Sequence, residues 1–153
     1  MKKIVVGDDN RVGEFISKRL NRIWIPGEAT TIGLEKDGKL VAGVMYSDCN
    51  GSNVCMHVAA EGKEWMTREY LWFCFYYPFE QLKVKRITGL VDDDNQAALE
   101  FDLHLGFKEE YRLKDAGKNG DLIILVMRKE DCRFLGIRHE KFTKDRRQIH
   151  QAA

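Results

Sequence analysis

Three groups of residues in this sequence have the types and spacing for chemistry. The stretch Glu61-Gly62-Lys63-Glu64-Trp65-Met66 lies between a short β-branched run, Val54 to Ala60, and a run of helix formers from about Glu64 to Gln81. A turn that opens a helix presents unpaired backbone N–H groups at the positive end of the helix dipole, which suits a phosphate or another anion. His57 titrates near neutrality and sits near the end of the first run, and Asp92 ends the next apolar run, so both are candidate general bases. Each also has a purely structural reading: a strand histidine can be hydrogen-bonded framework, and Asp92 to Asn95 has helix-capping chemistry. Finally, Cys55 and His57 share a strand face at i and i+2, with Cys49 nearby. Zinc sites show two compact ligand pairs, no second pair is present, and no metal site is expected.

These groups are positioned by a strand, helix, strand, helix unit. Met66, Tyr70, Phe73 and Tyr77 recur at helical spacing, Trp72, Phe75, Tyr76 and Phe79 thicken that face, and Pro78 should kink the last turn. Val84 to Val91 reads as the second strand. Ala97, Ala98, Phe101 and Leu105 mark a second amphipathic helix that ends at Gly106. A strand, crossover helix and strand in one sheet make a right-handed parallel pair, which brings the turns after Ala60 and Val91 to the same sheet edge.

Around this unit the chain reads as more sheet. Met1 to Val6 suits a strand, Asp8, Asp9 or Asn10 can cap a helix burying Val12, Phe15, Ile16 and Leu20, and Ile23-Trp24-Ile25-Pro26-Gly27 breaks that helix. Trp24 either lines a groove or packs on the sheet. Asp37-Gly38 and Asn50-Gly51 are hairpin signals between Thr31 to Glu35, Lys39 to Tyr46 and the strand at Val54. After Phe107, Lys108 to Leu113 reads as a strand, Asp115 to Gly120 as a turn, and Leu122 to Met127 as a strand buried on both faces. The fold class is therefore α/β, with antiparallel N-terminal strands, a parallel βαβα unit and a C-terminal strand pair. Strands that precede any alternation with helices argue against a Rossmann domain.

Composition agrees with one domain. The chain has 153 residues, 44% hydrophobic content and a net charge of +1, which excludes a global field for nucleic acid or membrane. The apolar run in MKKIVVGDD is too short for a signal peptide or a membrane span, so a cytoplasmic protein without a membrane partner is expected. The four cysteines form no C-x-x-C pair and read as free thiols. Residues 1–130 form the domain, and 131–153 read as a tail with six basic and three acidic residues. Arg146 and Arg147 in that tail leave nucleic-acid contact as an alternative that is not favoured.

Asn95-x-x-Ala98 followed by Leu105-Gly106-Phe107 resembles the N-x-x-A and L-G-F signature of GCN5-related N-acetyltransferases. Phe79-x-x-Leu82, Arg86-Ile87, and Asp121 with Met127 and Glu130 are similar to the branch that acetylates protein N-termini and ribosomal proteins. The resemblance spans roughly Thr31 to Glu130. It implies acetyl transfer from acetyl-CoA to a primary amine, here of a protein or peptide, because little chain precedes the hairpins to enclose a small substrate. A nucleic-acid-modifying member of the superfamily and a non-catalytic binding protein that keeps the fold are the alternatives, and a homodimer is compatible with either.

The resemblance also implies where the cofactor lies. Its pantetheine would pair with the strand near His57, Val58, Ala59 and Ala60, and its pyrophosphate would meet amides from Gly62, Lys63, Glu64, Trp65, Met66, Thr67 and Arg68, with Asn95 facing the same cleft. Lys63 and Trp65 stand where the family has the glycines of G-x-G. Lys63 and Arg68 can supply charge instead, while Trp65 either covers the cofactor or obstructs it. The family's usual proton donor is a tyrosine seven positions after Asn95, and here that position is Asp102. An ordinary aspartate is ionised at pH 7, so the role requires a carboxyl whose pKa burial has raised.

Overall fold

The computed structural model describes residues 1–136. Its backbone is built from β1 (Lys2–Val6), α1 (Asp9–Arg19), β2 (Thr30–Lys36), β3 (Lys39–Ser47), β4 (Asn53–Ala60), α2 (Arg68–Tyr76), β5 (Arg86–Asp92), α3 (Gln96–Leu105), β6 (Lys108–Leu113) and β7 (Leu122–Arg128). The seven strands form one sheet in the order β1-β2-β3-β4-β5-β7-β6. Each neighbouring pair is antiparallel except β4 and β5. The mixed sheet expected from the hairpin signals and the βαβα unit is therefore present.

Two apolar clusters hold the layers together. α2 and α3 cover one face, where Tyr70, Phe73, Phe75 and Phe79 pack on Ile32, Leu34, Val54, Ile87, Ile123 and Leu125. On the other face Val12 and Ile16 of α1 pack on Met45 and Ala59. Glycine lets α1 come this close: a Cβ on Gly43 would stand 2.7 Å from Ile16 Cγ1, and one on Gly33 would stand 2.9 Å from Val12 Cγ2.

Pro78 shapes the end of α2 more than a kink would. Having no N–H, it cannot bond the carbonyl four residues back, and the chain continues as a π-helical turn over Tyr77–Gln81 in which Leu82 N–H donates to Tyr77 O at 3.0 Å. The Cys74 carbonyl that proline leaves without its helical partner accepts instead from the Tyr46 hydroxyl at 2.6 Å, which ties α2 to β3.

Three expectations need correcting. α2 begins at Arg68, capped by Thr67, whose side chain accepts from Tyr70 N–H, so Glu64 to Met66 belong to the preceding loop. β7 enters the sheet between β5 and β6; its Ile123, Leu125 and Met127 side is sealed by the helical layer, while on the opposite side Val126 is buried and Leu122 and Ile124 are half-buried. At the start of α1, Asp8 occupies the cap position without a side-chain bond; Asp9 accepts from Thr31 N–H and Oγ1 at 2.9 and 2.8 Å, and Asn10 accepts from Trp24 Nε1 at 2.9 Å.

The apolar core extends past Glu130, because Cys132 and Phe134 are buried and Phe134 stacks on Phe75 with 5.0 Å between ring centroids. Arg146 and Arg147 lie outside the described residues. All four cysteines are free thiols, and Cys74, buried beneath the sheet, has its thiol pushed up to about 12. Among the described residues no helix is long and apolar enough to cross a membrane.

Replacing Tyr46 with Phe leaves the Cys74 carbonyl buried without its donor. The expected cost is about 1–3 kcal/mol of unfolding free energy in urea, with an unchanged m-value.

Candidate active site

β4 and β5 pair only over Asn53 with Arg86, Val54 with Ile87 and Cys55 with Thr88. Beyond that point the strands separate, although β4 stays paired with β3 to Ala60 and β5 with β7 to Asp92. The inner edges of residues 56–60 and 89–92 thus lose their ladder partners, and a cavity of about 800 Å³ opens between them. Its lining includes the last turn of α1 with the residues after it (Arg19, Leu20, Asn21, Arg22), the loop after β4, and the first two turns of α3.

Of the residues singled out by sequence, His57, Val58, Ala60, Gly62, Lys63, Trp65, Met66, Asp92, Asn95 and Asp102 all line this cavity. Ala59, Glu64, Thr67 and Arg68 do not. Alternation along β4 turns Ala59 under α1, and Thr67 is occupied as the cap of α2. Glu64 faces away, its carboxylate 2.5 Å from Lys36 Nζ and its carbonyl accepting from Lys2 Nζ at 2.7 Å. Arg68 is the exposed first residue of α2.

Trp65 neither lies over the cavity nor stands free in it. Its indole is 6% exposed and is wedged between Tyr70 and Phe101, at ring-centroid distances of 6.3 and 5.2 Å, so it joins the loop and both helices of that face. The glycine pattern is absent because this position serves as core. Gly62, with φ +69° and open space where a Cβ would be, provides the close backbone approach that the loop retains. Asn95 caps α3, its side chain accepting from Ala98 N–H at 3.2 Å.

The three titratable candidates differ in their surroundings. Burial, reinforced by the nearby Arg22 charge, holds the His57 imidazole below its ordinary pKa of 6.5, and its Nε2 lies 3.4 Å from Ser47 Oγ. Burial pushes the Asp102 carboxyl up to about 7. Asp92 is engaged elsewhere: its Oδ1 accepts the Lys118 backbone N–H at 3.2 Å and clasps the turn between β6 and β7. The same turn is held by Asp93 N–H donating to Asp121 O at 3.0 Å and by Asn119 Nδ2 donating to Asp94 at 3.1 Å. Asp92 does not cap α3, a position that Asn95 holds; its carboxylate is committed to the turn between β6 and β7 instead.

That clasp also brings Lys118 to the cavity, which its position in an apparently plain turn did not reveal. Arg19, another lining residue, is paired with Glu61. Among the described residues no group of three or more His, Cys, Asp and Glu is arranged to hold a metal ion.

A seven-stranded mixed sheet opened between its two parallel strands is the fold of the GCN5-related N-acetyltransferases. Solved structures that match include dodecameric spermidine N-acetyltransferase from Vibrio cholerae, with 15% identity, a TM-score of 0.66, and coverage of 84% of this chain and 94% of that one. Spermidine/spermine N-acetyltransferase from the same organism, in complex with manganese ions, matches with 17% identity, a TM-score of 0.63, and coverage of 84% and 91%. Ribosomal-protein-S5-alanine acetyltransferase from Vibrio fischeri matches with 13% identity, a TM-score of 0.61, and coverage of 86% and 94%. No family model and no curated protein matches the sequence. Identities this low establish the shared fold and leave the substrate to be argued from the site.

Two stability measurements follow from these contacts. Trp65→Ala should cost about 3–5 kcal/mol, the range for emptying a core aromatic site, while Trp65→Phe should cost much less. The folded state holds the Asp102 proton up to about 7, while the unfolded chain releases it near 3.8. Between those values the folded state binds more protons, so stability should fall as pH rises from about 4 to 7. Asp102→Asn should flatten that slope in denaturation curves taken across the interval.

Proposed function

We propose that the protein is an acetyl-CoA-dependent N-acetyltransferase that acts on a primary amine of a protein or peptide. The observation that carries this reading is the opening between β4 and β5, which places unpaired strand edge, the N-terminus of α3, His57 and Asp102 around one cavity. The residues fit the cofactor. Residues 56–60 of β4 offer free backbone donors and acceptors to an extended amide-bearing arm, as an added strand would use them. Gly62 permits close approach of a phosphate, and Lys63 stands beside it without an ion-pair partner among the described residues. When bound, acetyl-CoA supplies an activated acyl thioester.

The chain's own groups would supply the proton transfers. His57 is uncharged near neutrality and can take the proton that the attacking amine loses. A protonated Asp102 can deliver a proton to the departing thiolate sulfur, the task a tyrosine performs in the resembled family. Depression of one pKa and elevation of the other leave both groups in their working protonation states around and just below pH 7. Asp92, held by the turn it clasps, would position that turn and Lys118 beside the cleft.

Isothermal calorimetry with acetyl-CoA tests binding, and a pH profile tests the roles. Saturable binding with a Kd below 1 mM, corresponding to more than about 4 kcal/mol, is expected. The rate should decline above about pH 7 as Asp102 loses its proton, and below the depressed His57 pKa as the base becomes charged. Asp102→Asn should lower kcat by 10²-fold or more and remove the alkaline limb, the size expected for loss of a general acid. A folded wild-type protein that does not bind acetyl-CoA would favour a non-catalytic protein of this fold.

A further inference from the structure

We infer, on the basis of the acetyltransferase reading above, that the acyl site is deeper than an acetyl group needs and admits donors longer by one or two methylenes, with Gly89 as the residue that leaves the room.

Gly89 stands at the apex of the opening. The last ladder pair between the two parallel strands is Cys55 with Thr88, so Met56 on β4 and Gly89 on β5 are the first residues beyond it. Alternation puts both on the side of the sheet that α2 and α3 cover, in line with the core residues Val54 and Ile87. Both line the cavity, together with Phe101 and Phe107. Around Gly89 the wall is apolar: a Cβ there would lie 3.7 Å from Leu125 Cβ and 3.9 Å from Phe107 Cε1.

Neither structural reason for glycine seen elsewhere in the fold applies to Gly89. Gly13, Gly33 and Gly43 have a neighbour where a Cβ would go, at 2.5 Å for the Trp24 indole, 2.9 Å for Val12 and 2.7 Å for Ile16. Gly62 and Gly106 adopt left-handed φ values, and Gly89 does not. A methyl at Gly89 would meet its neighbours at ordinary van der Waals distance. Glycine inside a strand weakens it, and it recurs where a ligand comes close to the backbone. The cavity is what lies next to Gly89.

The position of the proposed proton donor selects the occupant. Phe107 N–H donates to the Asp102 carbonyl at 3.1 Å, so the ring beside Gly89 belongs to a residue bonded to Asp102. A thioester with its sulfur in reach of the Asp102 carboxyl has its acyl chain attached next to that sulfur, close to the Gly89 and Phe107 wall. Apolar surroundings suit a hydrocarbon chain and penalise the amides of the pantetheine arm or an ammonium group. The bonds exchanged are those of acetyl transfer: the amine nitrogen bonds to the acyl carbon and loses a proton to His57, the C–S bond breaks, and the sulfur takes a proton from Asp102. Only the length of the chain on the acyl carbon differs.

The test measures the affinity of the full-length protein for acetyl-, propionyl- and butyryl-CoA by calorimetry, which needs no acceptor. The two longer donors should bind no more weakly than acetyl-CoA, and each buried methylene can tighten binding by up to roughly fourfold. Gly89→Ala fills the space with one methyl and should weaken butyryl-CoA relative to acetyl-CoA by at least about fivefold, within the range by which an apolar pocket discriminates one methylene. Its melting temperature should not fall, because alanine is at least as good in a strand. Either longer donor binding more weakly than acetyl-CoA to the wild type, a test that stands without the variant, would overturn this inference and leave the acetyltransferase reading in place. So would a smaller change in the variant's affinity ratio, including equal loss of all three donors, which would assign Gly89 to the part of the cofactor they share. Failure of the wild type to bind acetyl-CoA at all would overturn both.

Discussion

The structure depends on a hydrogen-bond ladder that stops early. β4 and β5 share three residue pairs and then part, while each keeps its other neighbour along its full length. Backbone donors and acceptors on the inner edges are consequently left facing a cavity, a position that folded proteins otherwise fill with partners. The opening is stabilised from outside: β3 and β7 fix the outer edges, and Trp65, Phe101 and Phe107 line its helical side as parts of the same core that buries α2 and α3. Opening or closing a site formed in this way would disturb the packing of the helical layer.

The electrostatics of the cleft follow from that geometry. A carboxyl on α3 and an imidazole on β4 are both drawn out of water, and burial favours the neutral form of each, so one pKa rises and the other falls. The cations around the cleft are treated differently, with Arg19 and Arg22 held by Glu61 and Glu28. The two fixed arginines shape the walls, and the carboxyl and imidazole beside them are biased toward their neutral forms.

Much of this was legible in the sequence where a local rule has one physical solution. Asn95 and Gly106 mark α3 because a side-chain acceptor and a left-handed residue are what its two ends require. The hairpins at Asp37-Gly38 and Asn50-Gly51 placed three antiparallel strands before the parallel pair, and the matching N-x-x-A and L-G-F spacing pointed to the fold now seen. The start of α2 was misplaced because Glu64 to Met66 have good helix propensity, whereas the loop is fixed by Thr67 as a cap and by Trp65 reaching the core. Lys118 at the cavity, the insertion of β7 between β5 and β6, and the Trp24 anchor on Gly13 depend on contacts between distant segments, for which periodicity carries no signal.

The central claim is that the opened strand edge receives the cofactor, and backbone hydrogen exchange with and without acetyl-CoA tests it most directly. The account predicts slowed exchange for amides within residues 56–60 and 62–66 and at the start of α3, with β1 and β2 unchanged. Saturating acetyl-CoA that leaves those amides unprotected, or that protects a different surface, would contradict it.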